Sequence, residues 1–182
     1  FSETFRQLEV ELEAGRLNIT SQLLYRTLTW EETLRSCGLP LDLGEELARV
    51  YLHRRREQYR LYEEVPEVLD GLASRYRLVL VTNGLSDLQR EKVAAVGLER
   101  WITRIAVSGE LGSWKPDGGI FRHALELAEV SPEEAVMVGD NLAKDVGGAA
   151  ALGIRTVWAR RYAHLVPIHG VTPTLEVPHL RG

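Results

Sequence analysis

Three short stretches of the chain carry residue types that can handle a small anion. The first is Thr82-Asn83-Gly84. It offers a hydroxyl, an amide and an unhindered glycine N–H just ahead of a Ser-x-x-Gln helix start, and such donors next to a helix N-terminus suit a phosphate-sized anion. The same residues also suit a plain Asn-Gly turn. The second is Ser113-Trp114-Lys115-Pro116-Asp117, in which Pro116 sets the backbone and Lys115 offers a cation. Of the 22 basic residues only Lys92, Lys115 and Lys144 are lysines, so a lysine kept here suggests a compact point charge rather than a fork. The alternative is a surface lysine at a helix start. The third is Val138-Gly139-Asp140-Asn141-Leu142-Ala143-Lys144-Asp145. Its two carboxylates, Asp140 and Asp145, can face one point, where they repel by roughly 1–4 kcal/mol and call for a cation. Oxygen-only ligands point to Mg²⁺ rather than zinc. The alternative is one helix-terminal carboxylate and one surface aspartate.

The elements that must position these residues change in kind near Glu63-Glu64-Val65-Pro66. Residues 1–62 read as helix throughout. The pattern predicts helices over 2–14, from Thr20 through Leu28, from a Thr29-Trp30-Glu31-Glu32 capping box to Gly38, and over about 43–61 with Leu47, Val50 and Tyr51 on one face. Residues 63–182 alternate helix and strand, with strands expected at 78–82, 104–108, 135–139 and 154–158 and a short edge strand within 174–177. Continuous apolar runs separated by helices indicate a doubly wound parallel α/β sheet covered on both faces. Such sheets bind ligands beyond the carboxyl ends of their strands, where all three stretches fall.

Composition bounds the rest. The 182 residues are 45% hydrophobic and 26% charged, as in a soluble globular domain, and carry a net charge of −4, which disfavours nucleic acid as a partner. The single cysteine, Cys37, allows neither a disulfide framework nor a multi-cysteine metal site. No apolar run approaches the ~18 residues of a membrane span, and a cytoplasmic protein is expected. His53-Arg54-Arg55-Arg56, a basic run near the end of a helix, reads as a solvated face, the alternative being a surface that meets an acidic substrate.

Together the three stretches resemble the second, third and fourth motifs of the haloacid dehalogenase superfamily: Thr82-Asn83-Gly84, Lys115-Pro116, and Gly139-Asp140-x4-Asp145. Residues 1–62 are similar to the helical cap of the branch that contains pyrimidine 5′-nucleotidases and N-acylneuraminate-9-phosphatase. The resemblance implies a Rossmann-like sheet in the order 3-2-1-4-5. It also implies a Mg²⁺-dependent phosphatase that hydrolyses a small phosphorylated metabolite, such as a nucleotide or sugar phosphate, through an aspartyl-phosphate. Thr82 and the N–H groups of Asn83 and Gly84 would grip the phosphoryl oxygens and Lys115 would neutralise charge. Asp140 would bind the metal, and Asp145 would hold a metal-bound water or orient Lys115. The family's first motif, Asp-x-Asp-x-Thr, is missing: no two of Asp42, Asp70, Asp87, Asp117, Asp140 and Asp145 are two apart. Asp70 lies in an amphipathic stretch with no strand before it. The nucleophile and the sheet's central strand are therefore expected upstream of Phe1, some 20–45 residues away at usual element lengths, and the 182 residues alone are expected to be inactive. The alternatives are a 2-haloacid dehalogenase and a non-catalytic protein of the same fold.

Overall fold

A computed structural model describes residues 2–161 and 168–180. In chain order its main elements are α1 (Ser2–Glu13), α2 (Gln22–Ser36), α3 (Gly44–Arg56), α4 (Val65–Ala73), β1 (Val79–Thr82), α5 (Ser86–Ala95), β2 (Arg104–Val107), α6 (Ser108–Leu111), α7 (Gly118–Ala128), β3 (Val136–Gly139), α8 (Gly148–Ala150), β4 (Arg155–Ala159) and β5 (Leu175–Val177). The chain divides into two compact units, Phe1–Arg60 with Gly84–Leu98 and Leu61–Asn83 with Glu99–Gly182. Helix α5 thus groups with the helical segment, although it lies between strands in the sequence.

In the helical unit the expected break at Thr29 does not occur, and α2 runs unbroken. A capping box needs a non-helical first residue. Instead Thr27, Thr29 and Thr33 donate their hydroxyls to the carbonyls of Leu23, Tyr25 and Thr29, at 2.9, 2.7 and 2.8 Å, which lets threonine sit inside a helix. The N-terminus of α2 is capped from another helix: the Gln22 N–H donates to Asp87 Oδ2 of α5 at 2.8 Å. Helix α3 ends at Arg56 and buries Gly44, Ala48 and Leu52, not the Leu47–Val50 side. Close packing on α2 selects the small residues, since a Cβ on Gly44 would stand 2.6 Å from Glu31 Cγ. Val50 is left in solvent.

The second unit carries two parallel ladders, β1-β2 and β3-β4-β5, with Thr82 opposite Val107 and Gly139 opposite Trp158. The sheet is parallel, as the alternating pattern indicates, and the tail supplies the edge strand β5. Strands β1 and β3 are not hydrogen-bonded to each other. A groove of about 620 Å³ runs beside both, lined by Val79 and Val81 of β1, Val136 and Val138 of β3, and Phe121 and Leu125 of α7. Val136 and Val138 are 49% and 46% exposed, so among the described residues β3 is covered on one face only, not on two. Below the sheet Ala106, Ile120, Phe121, Ala149 and Ile154 form a core, and Leu142, Val146 and Trp158 form a second. Among the described residues no helix is long and apolar enough to cross a membrane.

Gly148 sets the tightest approach in this unit. A Cβ there would stand 2.6 Å from Phe121 Cε2 and 2.8 Å from the Pro116 carbonyl. Gly148→Ala is expected to cost about 1–3 kcal/mol, because an aromatic ring and a backbone must both move, and urea denaturation would measure it. A neutral result would mean that α7 slides freely.

Candidate active site

The carboxyl ends of β1 and β3 and the loop before α7 bring Lys115, Asp145, Asn83 and Thr82 together in the second unit. Lys115 stands in the Ser113–Asp117 loop, yet its side chain is only 12% exposed. Its Nζ donates to Asp145 Oδ1 at 2.7 Å and to the Val81 carbonyl at 2.9 Å. This excludes the surface-lysine alternative. Asp145 is 4% exposed, and its Oδ2 accepts the Asn141 N–H at 3.0 Å. A buried carboxylate demands such partners, since unpaired burial costs several kcal/mol.

Asn83 does something the sequence did not disclose. Its side chain clamps the lysine loop: Nδ2 donates to the Lys115 carbonyl at 3.0 Å, and the Lys115 N–H donates to Oδ1 at 2.8 Å. The loop is thereby tied to the end of β1. Asn83→Ala is expected to lose both bonds, to destabilise by about 1–3 kcal/mol, and to lower turnover by letting Lys115 drift. Measuring stability and rate on the same sample separates the two effects. Thr82 ends β1, and its hydroxyl makes only a long contact, 3.5 Å, with the Asn83 carbonyl. Gly84 has φ +141°, a conformation closed to L side chains, and any Cβ there would run into the Gln89 amide.

The segment after β3 is expected as an ordinary helix over 142–152. Instead Leu142–Gly147 forms a π-turn before α8. The Asn141 carbonyl accepts from both Asp145 and Val146, at 2.8 and 3.3 Å, and the Asn141 side chain caps Lys144 N–H at 2.8 Å. This widened turn swings Asp145 back toward β3. The approach is close: a Cβ on Gly139 would stand 2.6 Å from Asp145 Cγ, so Gly139 makes room for the carboxylate. The Asp140 carboxylate is exposed, while its main-chain carbonyl accepts the Trp158 Nε1–H at 3.0 Å. Asp140 and Asp145 therefore differ in kind: one carboxylate is open to solvent, and the other is engaged by Lys115. No group of three possible metal ligands occurs among the described residues. Mg²⁺ is commonly held by one or two carboxylates with waters and phosphate oxygens completing the shell, so the hard oxygen donor at Asp140 fits that cation. Asp70 is inside α4, where its Oδ1 accepts the Trp101 Nε1–H at 2.7 Å, and not in a loop that follows a strand.

A parallel α/β unit that gathers a clamped lysine, a threonine and two aspartates at its strand ends has the make-up of an enzyme core. The chain belongs to the haloacid dehalogenase-like hydrolases, whose profile matches residues 1–159. Its relatives include phosphoserine phosphatase of Thermus thermophilus, 43% identical over 138 residues that cover 75% of this chain and 55% of that protein. N-acylneuraminate-9-phosphatase of Rattus norvegicus is 34% identical, with 85% and 66% covered. The chain thus spans between half and two thirds of the length of these relatives. Among solved structures, HAD-hydrolase YfnB of Bacillus subtilis, bound to magnesium, matches at TM-score 0.75 and 23% identity, covering 99% of this chain and 77% of that one. The 2-haloacid dehalogenase of Pseudomonas syringae pv. Tomato matches at TM-score 0.70 and 27% identity, with 98% and 76% covered.

Proposed function

We propose that this hydrolase is a Mg²⁺-dependent cytoplasmic phosphatase acting on a small phosphomonoester, a nucleotide, sugar phosphate or related metabolite, with residues 1–62 as its cap. The observation that carries the reading is Lys115, a nearly buried ammonium held by Asp145 and Val81 and clamped in place through Asn83. A cation fixed in this way neutralises an incoming phosphoryl group without reorganising as charge moves. The Thr82 hydroxyl donates to a phosphoryl oxygen, and the main chain at Asn83 and Gly84 turns around the same group. Asp145 acts through Lys115 by holding its ammonium at one position.

Asp140 would hold Mg²⁺, and Asp145, engaged by Lys115, would orient that ammonium or hold a metal-bound water. When bound, the ion offsets negative charge on the phosphoryl oxygens. The nucleophile is an aspartate outside these 182 residues, on a strand that occupies the groove between β1 and β3. Among the described residues no strand pairs with the facing edges of β1 and β3, and this, with the exposed Val136 and Val138, supports that assignment. The aspartate oxygen attacks phosphorus as the ester oxygen leaves and takes up a proton, and water then cleaves the aspartyl-phosphate to release phosphate and regenerate the carboxylate. The Thermus and rat relatives, both phosphatases, favour this reading. The dehalogenase neighbour favours a second, in which the same aspartate displaces halide and no metal takes part.

The test is product release by the complete gene product. Phosphate set free from a panel of phosphomonoesters, with Mg²⁺ and not with chelator, is expected. Halide released from 2-chloropropionate, indifferent to chelator, would install the second reading, and neither product would make the protein a non-catalytic member of the fold.

A further inference from the structure

The helical unit contains a cluster of cations that its own carboxylates do not balance. Arg26 of α2 is 3% exposed. Its guanidinium carbon lies 4.5, 5.4 and 4.9 Å from the ring centres of Phe5, Tyr25 and Tyr51. Ring faces attract a cation more weakly than its lost hydration held it. Among the described residues no carboxylate pairs with Arg26, and the pull of Glu9 on it is weaker than the push of Arg55. Arg55, half-buried and not on the solvated face that its basic run suggests, donates to Tyr51 at 3.1 Å. Lys92 of α5 is the third cation, and burial together with Arg55 and Arg26 holds its ammonium down at about 8, against the weaker pull of Glu91.

The cluster's near carboxylate, Glu91, is already taken. Arg56 donates to both its oxygens, at 2.8 and 2.7 Å, and Gln22 Nε2 adds a third bond at 3.0 Å. Among the described residues one buried acceptor of the same cluster has no hydrogen-bond partner, Gln22 Oε1, one helical turn from Arg26, and beside it the buried hydroxyl of Tyr59 faces Arg55, Arg56 and Glu91. Surplus cations ask for an anion. The orphaned acceptor asks for a donor on the same ligand. A planar carboxylate answers the guanidinium fork, and a neighbouring amino or hydroxyl group answers Gln22.

We propose that Arg26, Arg55 and Lys92, with Gln22 and Tyr59, form a binding site for a small carboxylate that carries an adjacent amino or hydroxyl group. The site lies wholly within the helical unit and stands whether or not the phosphatase reading does.

Its test uses the complete gene product with ¹³Cε-labelled lysine, L-serine as the probe, and ethanolamine and NaCl as controls at matched ionic strength. The Lys92 resonance is expected to titrate near pH 8 without ligand. Saturating L-serine should raise that midpoint by about one unit or more, because a bound anion favours the ammonium. Ethanolamine and NaCl should not, and Arg26→Met should abolish the response. Arg55→Met, at a half-buried position, serves the same purpose if Arg26→Met fails to fold. No response to L-serine, or an equal response to NaCl, would overturn the proposal and leave the cluster to be neutralised from outside these residues. A second arm identifies the source of the carboxylate through the ratio of kcat/KM for O-phosphoserine over O-phosphoethanolamine. A fall of about tenfold or more in Arg26→Met assigns the site to the substrate's own carboxylate. An unchanged ratio alongside lost L-serine binding assigns it to a separate ligand. Both outcomes uphold the site.

Discussion

Lys115→Met is expected to abolish phosphate release and to destabilise the protein by about 3–5 kcal/mol, because it strands the buried Asp145 carboxylate without its counter-ion. The two losses have different causes and can be separated. In Lys115→Met with Asp145→Asn the buried charge is gone, and the Asn amide still offers an acceptor to the Asn141 N–H. Most of the stability should return and none of the turnover. Lys115→Arg keeps the charge but brings a planar fork into a space shaped for an ammonium between Val81 and Asp145. It is expected to lose at least ~10-fold in rate, or about 1.4 kcal/mol. Urea denaturation and a phosphate-release assay on all three variants supply the readouts. A stable, active Lys115→Met would reduce the lysine to a structural residue.

The positions of the strands were legible because each is a short run of apolar residues closed by polar punctuation. The observed β1 to β4 lie within about one residue of their expected bounds. The convergence of Thr82, Lys115 and Asp145 was legible for the same reason, since strand ends in a parallel sheet share one edge. What the sequence concealed depends on atoms that only packing brings together. The Asn83 clamp is a pairing across 32 positions. The π-turn at Leu142–Gly147 leaves no mark in a helical repeat, and only the glycine before Asp140 hints that something must pass close by. Trp158, which pins Asp140 from β4, carries no local signal at all. In the helical unit, threonines bonded back to their own helix imitated a capping box, and Gly44 and Ala48 outweighed larger apolar neighbours because closeness to α2 mattered more than area. The basic run 53–56 has the pattern of one solvated face, whereas Arg56 bonds Glu91 and Arg55 joins the Arg26 cluster.

Asp140→Asn is expected to leave the fold intact within about 0.5 kcal/mol and yet remove about 100-fold or more of the activity. The contrast with Asp145 gives this expectation its force. The two aspartates stand five positions apart and look interchangeable in the sequence. Asp145 is buried, paired and braced by Gly139, so its loss is felt throughout the unit. The Asp140 side chain is exposed, and Trp158 grips only its backbone, which the substitution leaves in place. A carboxylate that contributes little to folding and points into solvent at the sheet edge suits a cation. A measurement that does not involve turnover can decide the matter. Excess Mg²⁺ should raise the unfolding free energy of the wild-type product, by about 2.7 kcal/mol at a hundredfold excess over the dissociation constant. Asp140→Asn should show almost none of that gain. If Mg²⁺ stabilises both proteins equally, the ion binds elsewhere. If it stabilises neither while halide is released from a 2-haloacid, the site works without a metal and the dehalogenase reading replaces the phosphatase.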